Sequence, residues 1–224
     1  MQDQRAELQW RDGAVPASRR FDDPYFSLEN GLAETRHVFL AGNGLPERFR
    51  DGFRIAELGF GTGLNFLATL QSWRASGCTG GLDYTSFEAF PMTAAEIARA
   101  LAPFPELAGP AAELVARWTG AGGQARFNGG ITLTLVAGDA RDTLPDWPGQ
   151  ADAWYLDGFS PAKNPELWQP DLMAAVAAHT APGGTAATYT AAGFVRRGLA
   201  AAGFEVTRAP GYGRKRHMTR ARLP

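Results

Sequence analysis

Apolar residues along this chain fall into short runs, separated by longer stretches in which apolar positions recur at helical spacing. From Phe53 onward the alternation is regular. Phe53–Leu58 reads as a strand and Leu64–Ala75 as an apolar helix. Asp83–Glu88 is the next strand, Pro91–Leu101 a helix opened by proline, and Glu106–Trp118 another helix. Ile131–Ala137 is apolar and β-branched, so it reads as a buried strand; Asp152–Asp157 is another, followed by a helix over Pro165–His179. Gly184–Thr190, a helix Ala191–Ala202 closed by Gly203, Phe204–Ala209 and Arg214–Arg222 complete the series. Ahead of it, Leu8–Ser18 with its Trp10-Arg11-Asp12-Gly13 turn suggests a small hairpin. Phe21–Ser27 is a loop, and Leu28–Leu40 looks helical, with Leu28, Leu32, Val38 and Phe39 toward the core. Gly120–Gly130 reads as a loop with a hairpin at its tip.

Strands alternating with helices predict a mostly parallel, seven-stranded sheet covered on both faces, an α/β fold. The short Pro-Gly-Tyr-Gly connection before the seventh strand predicts a hairpin, so that strand should run antiparallel at the end of the sheet. Residues 1–50 then form a small N-terminal extension on a core of 51–224.

Composition narrows the class. The 224 residues are 45% hydrophobic and 20% charged, enough for one sizeable core. No apolar run approaches the ~18 residues of a membrane span, and the first residues are polar, so a soluble cytoplasmic protein is expected. The single cysteine, Cys78, excludes an internal disulfide, and His37, His179 and His217 show no metal-ligand spacing, so no metal is expected. The net charge of -1 excludes polyanion binding by bulk charge. The end of the chain differs: Arg196, Arg197, Arg208, Arg214, Lys215, Arg216, Arg220 and Arg222 face one acid, Glu205. That patch suits phosphates, or equally a solvated face protecting an edge strand.

The candidate chemistry lies where strands end. Glu57-Leu58-Gly59-Phe60-Gly61-Thr62-Gly63 joins the first parallel strand to its helix. Glycines let the backbone turn sharply and approach a ligand. A dinucleotide fingerprint wants glycine or alanine three places after Gly61, where Leu64 stands, and a P-loop wants Gly-Lys-Ser/Thr, which is absent. The loop resembles motif I of S-adenosylmethionine (SAM)-dependent methyltransferases. On that likeness Gly59, Gly61 and Gly63 cradle SAM, and Glu57 bonds its ammonium directly or through water. Glu88, ending the next strand, is a candidate for the ribose hydroxyls; Asp139 and the Ala140 amide are candidates for the adenine. Asp157 ends the Asp152–Asp157 strand before a stiff loop with aromatic and proline residues, so it is a candidate catalytic carboxylate or, alternatively, a turn or helix-capping acid.

Longer segments extend the likeness: FDDPYFS (21–27), GLAETRHVFLAGN (31–43), ELGFGTGLNFL (57–67), SFEAFP (86–91), DGFSPAKNPELW (157–168), AGFVRRGL (192–199) and GYGRKRHM (211–218). Together they resemble the tRNA 5-methylaminomethyl-2-thiouridine methyltransferase family, which in longer members is the N-terminal half of the bifunctional MnmC protein. The resemblance implies a Rossmann-like class I methyltransferase fold. It implies methyl transfer from SAM to the amine of 5-aminomethyl-2-thiouridine at the wobble position, with the tRNA anticodon stem-loop as partner. An FAD-dependent oxidase acting on the same nucleotide is implied as a further partner. Leu58 and His217 depart from the family pattern. The alternatives are methylation of another nucleoside or a small amine, and a non-catalytic SAM- or RNA-binding module.

On this reading Asp157 orients the acceptor amine or takes its proton. Tyr25, Phe26, Phe159 and Tyr212 are candidates to hold an extruded base, against the plainer role of core or lid packing. Lys163, Lys215 and Arg216 are candidates for anticodon phosphates.

Overall fold

The computed structural model describes residues 5–11, 13, 15–27 and 30–224. Asp12 and Leu28 fall outside the described residues.

The chain begins with a three-stranded antiparallel sheet: β1 (Leu8–Arg11), β2 (Val15–Ser18) and the short β3 (Asp23–Pro24). Helix α1 (Gly31–Thr35) starts on Asn30, whose side chain accepts the Ala33 N–H at 2.9 Å. It continues as a π-helical turn, Arg36–Leu40, and a 3-10 turn, Ala41–Asn43. The expected helix is thus shorter, with altered pitch; Leu32, Val38 and Phe39 are buried as expected.

The core follows the predicted alternation. It runs β4 (Phe53–Leu58), α2 (Leu64–Ser76), β5 (Leu82–Glu88), α3 (Ala94–Leu101) and α4 (Ala108–Arg117). Next come β6 (Gly123–Phe127), β7 (Ile131–Ala137), α5 (Ala140–Thr143) and β8 (Ala151–Leu156). Then α6 (Pro170–Ala178), β9 (Thr180–Thr188), α7 (Gly193–Ala201), β10 (Glu205–Pro210) and β11 (His217–Arg222) complete it. Helix α3 starts on Thr93, not Pro91, because Thr93 and Glu96 form a reciprocal capping box.

The strands form one sheet in the order β10-β11-β9-β8-β4-β5-β7-β6. Strands β9, β8, β4, β5 and β7 are parallel, and β11 is antiparallel to both β9 and β10. Two details differ from expectation. The segment expected as a loop with a hairpin at its tip contributes an eighth strand, β6, paired antiparallel to β7. The last strand lies inside the sheet and β10 takes the edge, because β11 buries Met218, Thr219 and Ala221 while β10 has no fully buried residue.

The pleat divides the core. On β8, Ala153 and Tyr155 join Ile55, Phe66, Leu67 and Tyr84 on one face; Trp154 and Leu156 join Ala56, Leu172, Val176 and Leu199 on the other. Helix α2 is buried on nearly every side, from Leu64 through Leu70 and again at Trp73. An outer helix of such a fold is ordinarily amphipathic. Here α1 and the π turn pack on α2 as a further layer, so the extension completes the core beside the glycine-rich loop.

Candidate active site

The parallel strands end on one edge, and their sequence neighbours meet there. A cavity of about 480 Å³ opens at this edge, within the usual range for a small-molecule site. Its wall includes Gly59, Gly61, Glu88, Asp139, Ala140 and Asp157. Strand order sets these groups in a row. Asp157 follows β8, the glycines follow β4, Glu88 ends β5 and Asp139 lies beyond β7.

The glycine-rich loop bends through positive φ at Gly59 (86°), Gly61 (55°) and Gly63 (77°). A Cβ on Gly59 would stand 2.9 Å from the Asp157 carbonyl oxygen, and one on Gly61 would stand 3.0 Å from the Tyr25 ring. Only glycine permits that approach. Glu88 ties the loop down: its Oε2 accepts the Gly61 N–H at 2.9 Å and its Oε1 the Phe90 N–H at 2.7 Å. Burial raises the Glu88 carboxyl above its ordinary range, and those backbone bonds oppose the rise. A carboxylate with one donor on each oxygen retains lone pairs for ribose hydroxyls.

Asp139 caps α5 by accepting the Arg141 N–H at 2.9 Å, and its carboxylate also pairs with the Arg141 guanidinium at 2.6 Å. The hydrogen bonds from Arg141 hold it below the ordinary range, against burial. The expected adenine-bonding acid is therefore already engaged, although it lines the cavity.

Glu57 differs from expectation. It is fully buried beneath the loop and does not line the cavity. Its Oε1 accepts from Asn65 Nδ2 at 2.9 Å and its Oε2 from Ser86 Oγ at 2.7 Å. Burial pushes its carboxyl up to about 8. The strand pleat turns Glu57 toward α2, so its direct partners are protein groups.

Asp157 faces the cavity. Its Oδ1 accepts the Gly158 N–H at 2.9 Å and its Oδ2 accepts Asn65 Nδ2 at 2.7 Å. Burial pushes it up to about 7; the bonds from Asn65 and Gly158 and the Lys215 charge resist that rise. Asn65 thus bridges Asp157 and Glu57. Sequence reasoning passed over it, although a lone asparagine in the apolar run Leu64–Leu70 was a legible signal.

The Phe21–Ser27 segment closes one side. Phe21 stacks on Phe159 at 4.7 Å, and Tyr25 meets Phe159 edge-on at 5.0 Å. Phe26 packs edge-on against Phe104 at 5.3 Å. The Ser160 N–H bonds Asp23 at 2.8 Å, and the Lys163 ammonium bonds Asp22 and faces the Asp23 carboxylate at 3.6 Å. Lys163 therefore joins the two loops. Arg20, also unremarked in the sequence, is exposed and lies 4.7 Å over the Phe90 ring. Tyr212, Lys215 and Arg216 stand outside the cavity lining. Tyr212 neighbours His37; Lys215 pairs with Glu34 at 2.7 Å and lies 4.3 Å over Tyr189, whose hydroxyl donates to the Gly158 carbonyl at 2.7 Å. Among the described residues no cluster of potential metal ligands occurs.

The family model for S-adenosyl-L-methionine-dependent methyltransferases matches residues 105–224, more than half of the chain. The chain belongs to this methyltransferase family. A relative from Caulobacter vibrioides, the tRNA 5-methylaminomethyl-2-thiouridine biosynthesis bifunctional protein MnmC, is 51% identical over 224 residues, covering 97% of this chain and 38% of that protein. The Stutzerimonas stutzeri protein of the same name is 48% identical over 230 residues, covering 98% of this chain and 35% of that protein. The methyltransferase chain thus spans little more than a third of these relatives. The crystal structure of MnmC2 from Aquifex aeolicus superposes with a TM-score of 0.75 at 26% identity, covering 99% of this chain and 72% of that one. The methyltransferase is accordingly an enzyme that uses S-adenosyl-L-methionine, and the row of groups across the cavity fits that cofactor. Gly59, Gly61, Glu88, Asp139 and Ala140 all line that cavity. Among the described residues no helix is long and apolar enough to cross a membrane.

Proposed function

We propose that this enzyme methylates the primary amine of 5-aminomethyl-2-thiouridine at the tRNA wobble position, giving 5-methylaminomethyl-2-thiouridine. The observation that carries the reading is Asp157, at the β8 end of the cofactor row, beside the aromatic group Phe21, Tyr25 and Phe159. The names of the relatives that match nearly the whole chain supply the substrate class.

When bound, S-adenosyl-L-methionine supplies an electrophilic methyl group on a sulfonium. The acceptor amine attacks only as its free base. Asp157 accepts a hydrogen bond from the amine and orients its lone pair. Its carboxyl, raised to about 7, is closer in proton affinity to an alkylammonium than an ordinary aspartate, so it also serves as a station for the departing proton. Phe159, Phe21, Tyr25 and Phe26 hold the extruded base and exclude water. Tyr212, Lys215 and Arg216, on the connection between β10 and β11, meet the anticodon stem-loop outside the cavity, so affinity falls steeply with salt. The relatives are named bifunctional and extend well beyond the matched region. An FAD-dependent oxidase acting on the same nucleotide is the partner we propose.

The test is transfer of labelled methyl from S-adenosyl-L-methionine to tRNA lacking the terminal methyl, followed by nucleoside analysis. Methylated wobble uridine is expected; its absence under conditions where the cofactor binds would overturn the proposal. Asp157→Asn should lower turnover by about 10²–10⁴-fold and leave cofactor affinity near wild type.

A further inference from the structure

A buried and a half-buried carboxyl group that share one donor need an account that a cofactor site alone does not provide. Glu57 and Asp157 both bond the Nδ2 of Asn65, at 2.9 and 2.7 Å. The amide nitrogen only donates, so both carboxyl groups accept from it. The amide oxygen accepts from Thr35 Oγ1 at 2.9 Å, and that bond fixes the amide orientation from the other side. Both side-chain polar atoms of Asn65 are engaged, and the residue is 5% exposed. Its rotation is closed off by α1 above, β4 below and the β8 end beside it.

The adjacent residues of α1 act in concert. Thr35 holds Asn65, and Glu34 holds Lys215 at 2.7 Å. Asn65 and Lys215 are two of the groups that favour the ionised form of Asp157. The titratable groups around this carboxylate are Glu57 on β4, Tyr84 on β5, Glu34 on α1, Tyr189 after β9, and Lys215. Of these groups Lys215 carries positive charge, and it is shared with Glu34.

We propose that Asn65 is a positioning residue for methyl transfer: clamped by Thr35 and Glu57, it fixes the Asp157 carboxyl group in one orientation toward the acceptor. The assignment rests on the reading of Asp157 given above. Asn65 itself lines the cavity, and in this role it acts through Asp157. The extension residues 30–43 thereby act on the reacting carboxylate through Thr35, which also lines the cavity, and through Glu34, which holds Lys215.

The test uses the full chain and two readouts. Carboxyl ¹³C NMR titration, with Asp157→Asn identifying the resonance, follows the Asp157 midpoint; single-turnover methyl transfer to tRNA follows its consequence. Asn65→Leu keeps the volume and removes the donor. The Asp157 midpoint should rise by about one pH unit or more, because the lost bond favoured the charged form. Turnover should fall on the order of 10²-fold with calorimetric cofactor affinity little changed. A merely structural role would lower the folded fraction without moving the midpoint. An unmoved midpoint in folded Asn65→Leu overturns the proposal, even where Asp157→Asn is inactive. Full activity of Asp157→Asn overturns the reading of Asp157 instead. Where Asn65→Leu fails to fold, Thr35→Val decides: it frees the amide oxygen alone, and should give the same changes in smaller measure. Wild-type midpoint and turnover there overturn the proposal.

Discussion

Gly59→Ala separates two costs that glycine-rich loops usually confound. Gly59 has φ of 86°, and a Cβ there would lie 2.9 Å from the Asp157 carbonyl oxygen and 3.7 Å from the Gly158 Cα. The loop cannot retreat freely, since the Gly59 N–H bonds the Phe87 carbonyl at 2.9 Å on the opposite side. The left-handed backbone costs alanine about 1–2 kcal/mol. Forcing the methyl against a fixed backbone adds about 1–3 kcal/mol. Gly77, just past α2, supplies the control: φ is 72° and a Cβ would meet nothing within 4 Å. Gly77→Ala therefore carries the first cost alone. For a domain of this size each kcal/mol lowers Tm by roughly 2–4 °C. Gly59→Ala should then melt about 2–12 °C below Gly77→Ala. Calorimetry measures the difference. Because the methyl displaces the backbone of Asp157, Gly59→Ala should also lose turnover on the order of 10²-fold, read by labelled methyl transfer. Equal melting temperatures for the two variants, or wild-type turnover in Gly59→Ala, would refute the claim that this glycine serves the β8 end as well as the ligand.

Two further outcomes follow from the carboxylates. Burial raises Glu57 from the ordinary 4.5 to about 8, so between those pH values the unfolded chain releases a proton that the folded chain keeps. Its contribution to stability is thus fully present at low pH and is lost as pH rises toward 8; Glu57→Gln should flatten that part of the decline in urea midpoint, and an unchanged slope would contradict it. Glu88→Gln places an amide NH₂ against either the Gly61 or the Phe90 N–H, leaving a buried donor without an acceptor at about 1–3 kcal/mol. Cofactor affinity by calorimetry should fall about tenfold or more, and an unchanged affinity would remove Glu88 from the site.

The alternation of strands and helices was legible because each buried strand is a compact apolar run. Phe53–Leu58 and Ile131–Ala137 have the same bounds in sequence and structure. Strand β6 was not legible: only Phe127 in it is buried, so its backbone pairing with β7 leaves no apolar alternation to read. The π turn at Arg36–Leu40 was hidden for a similar reason, since its apolar residues are compatible with either pitch.

The site divides along the same line. The sequence by itself determined which acids and glycines stand at strand ends, because the turn from strand to helix is a local event governed by neighbouring residues. It could not determine their neighbours across the sheet. Chain order runs β4, β5, β7, β8, whereas the sheet sets β8 beside β4 and so places Asp157 next to the glycine-rich loop. Tertiary structure alone placed Glu57 beneath the loop, joined it to Asp157 through Asn65, and engaged Lys163 and Lys215 with Asp22 and Glu34. Most of those pairings join residues far apart in the chain, so only the folded chain brings the partners within bonding distance.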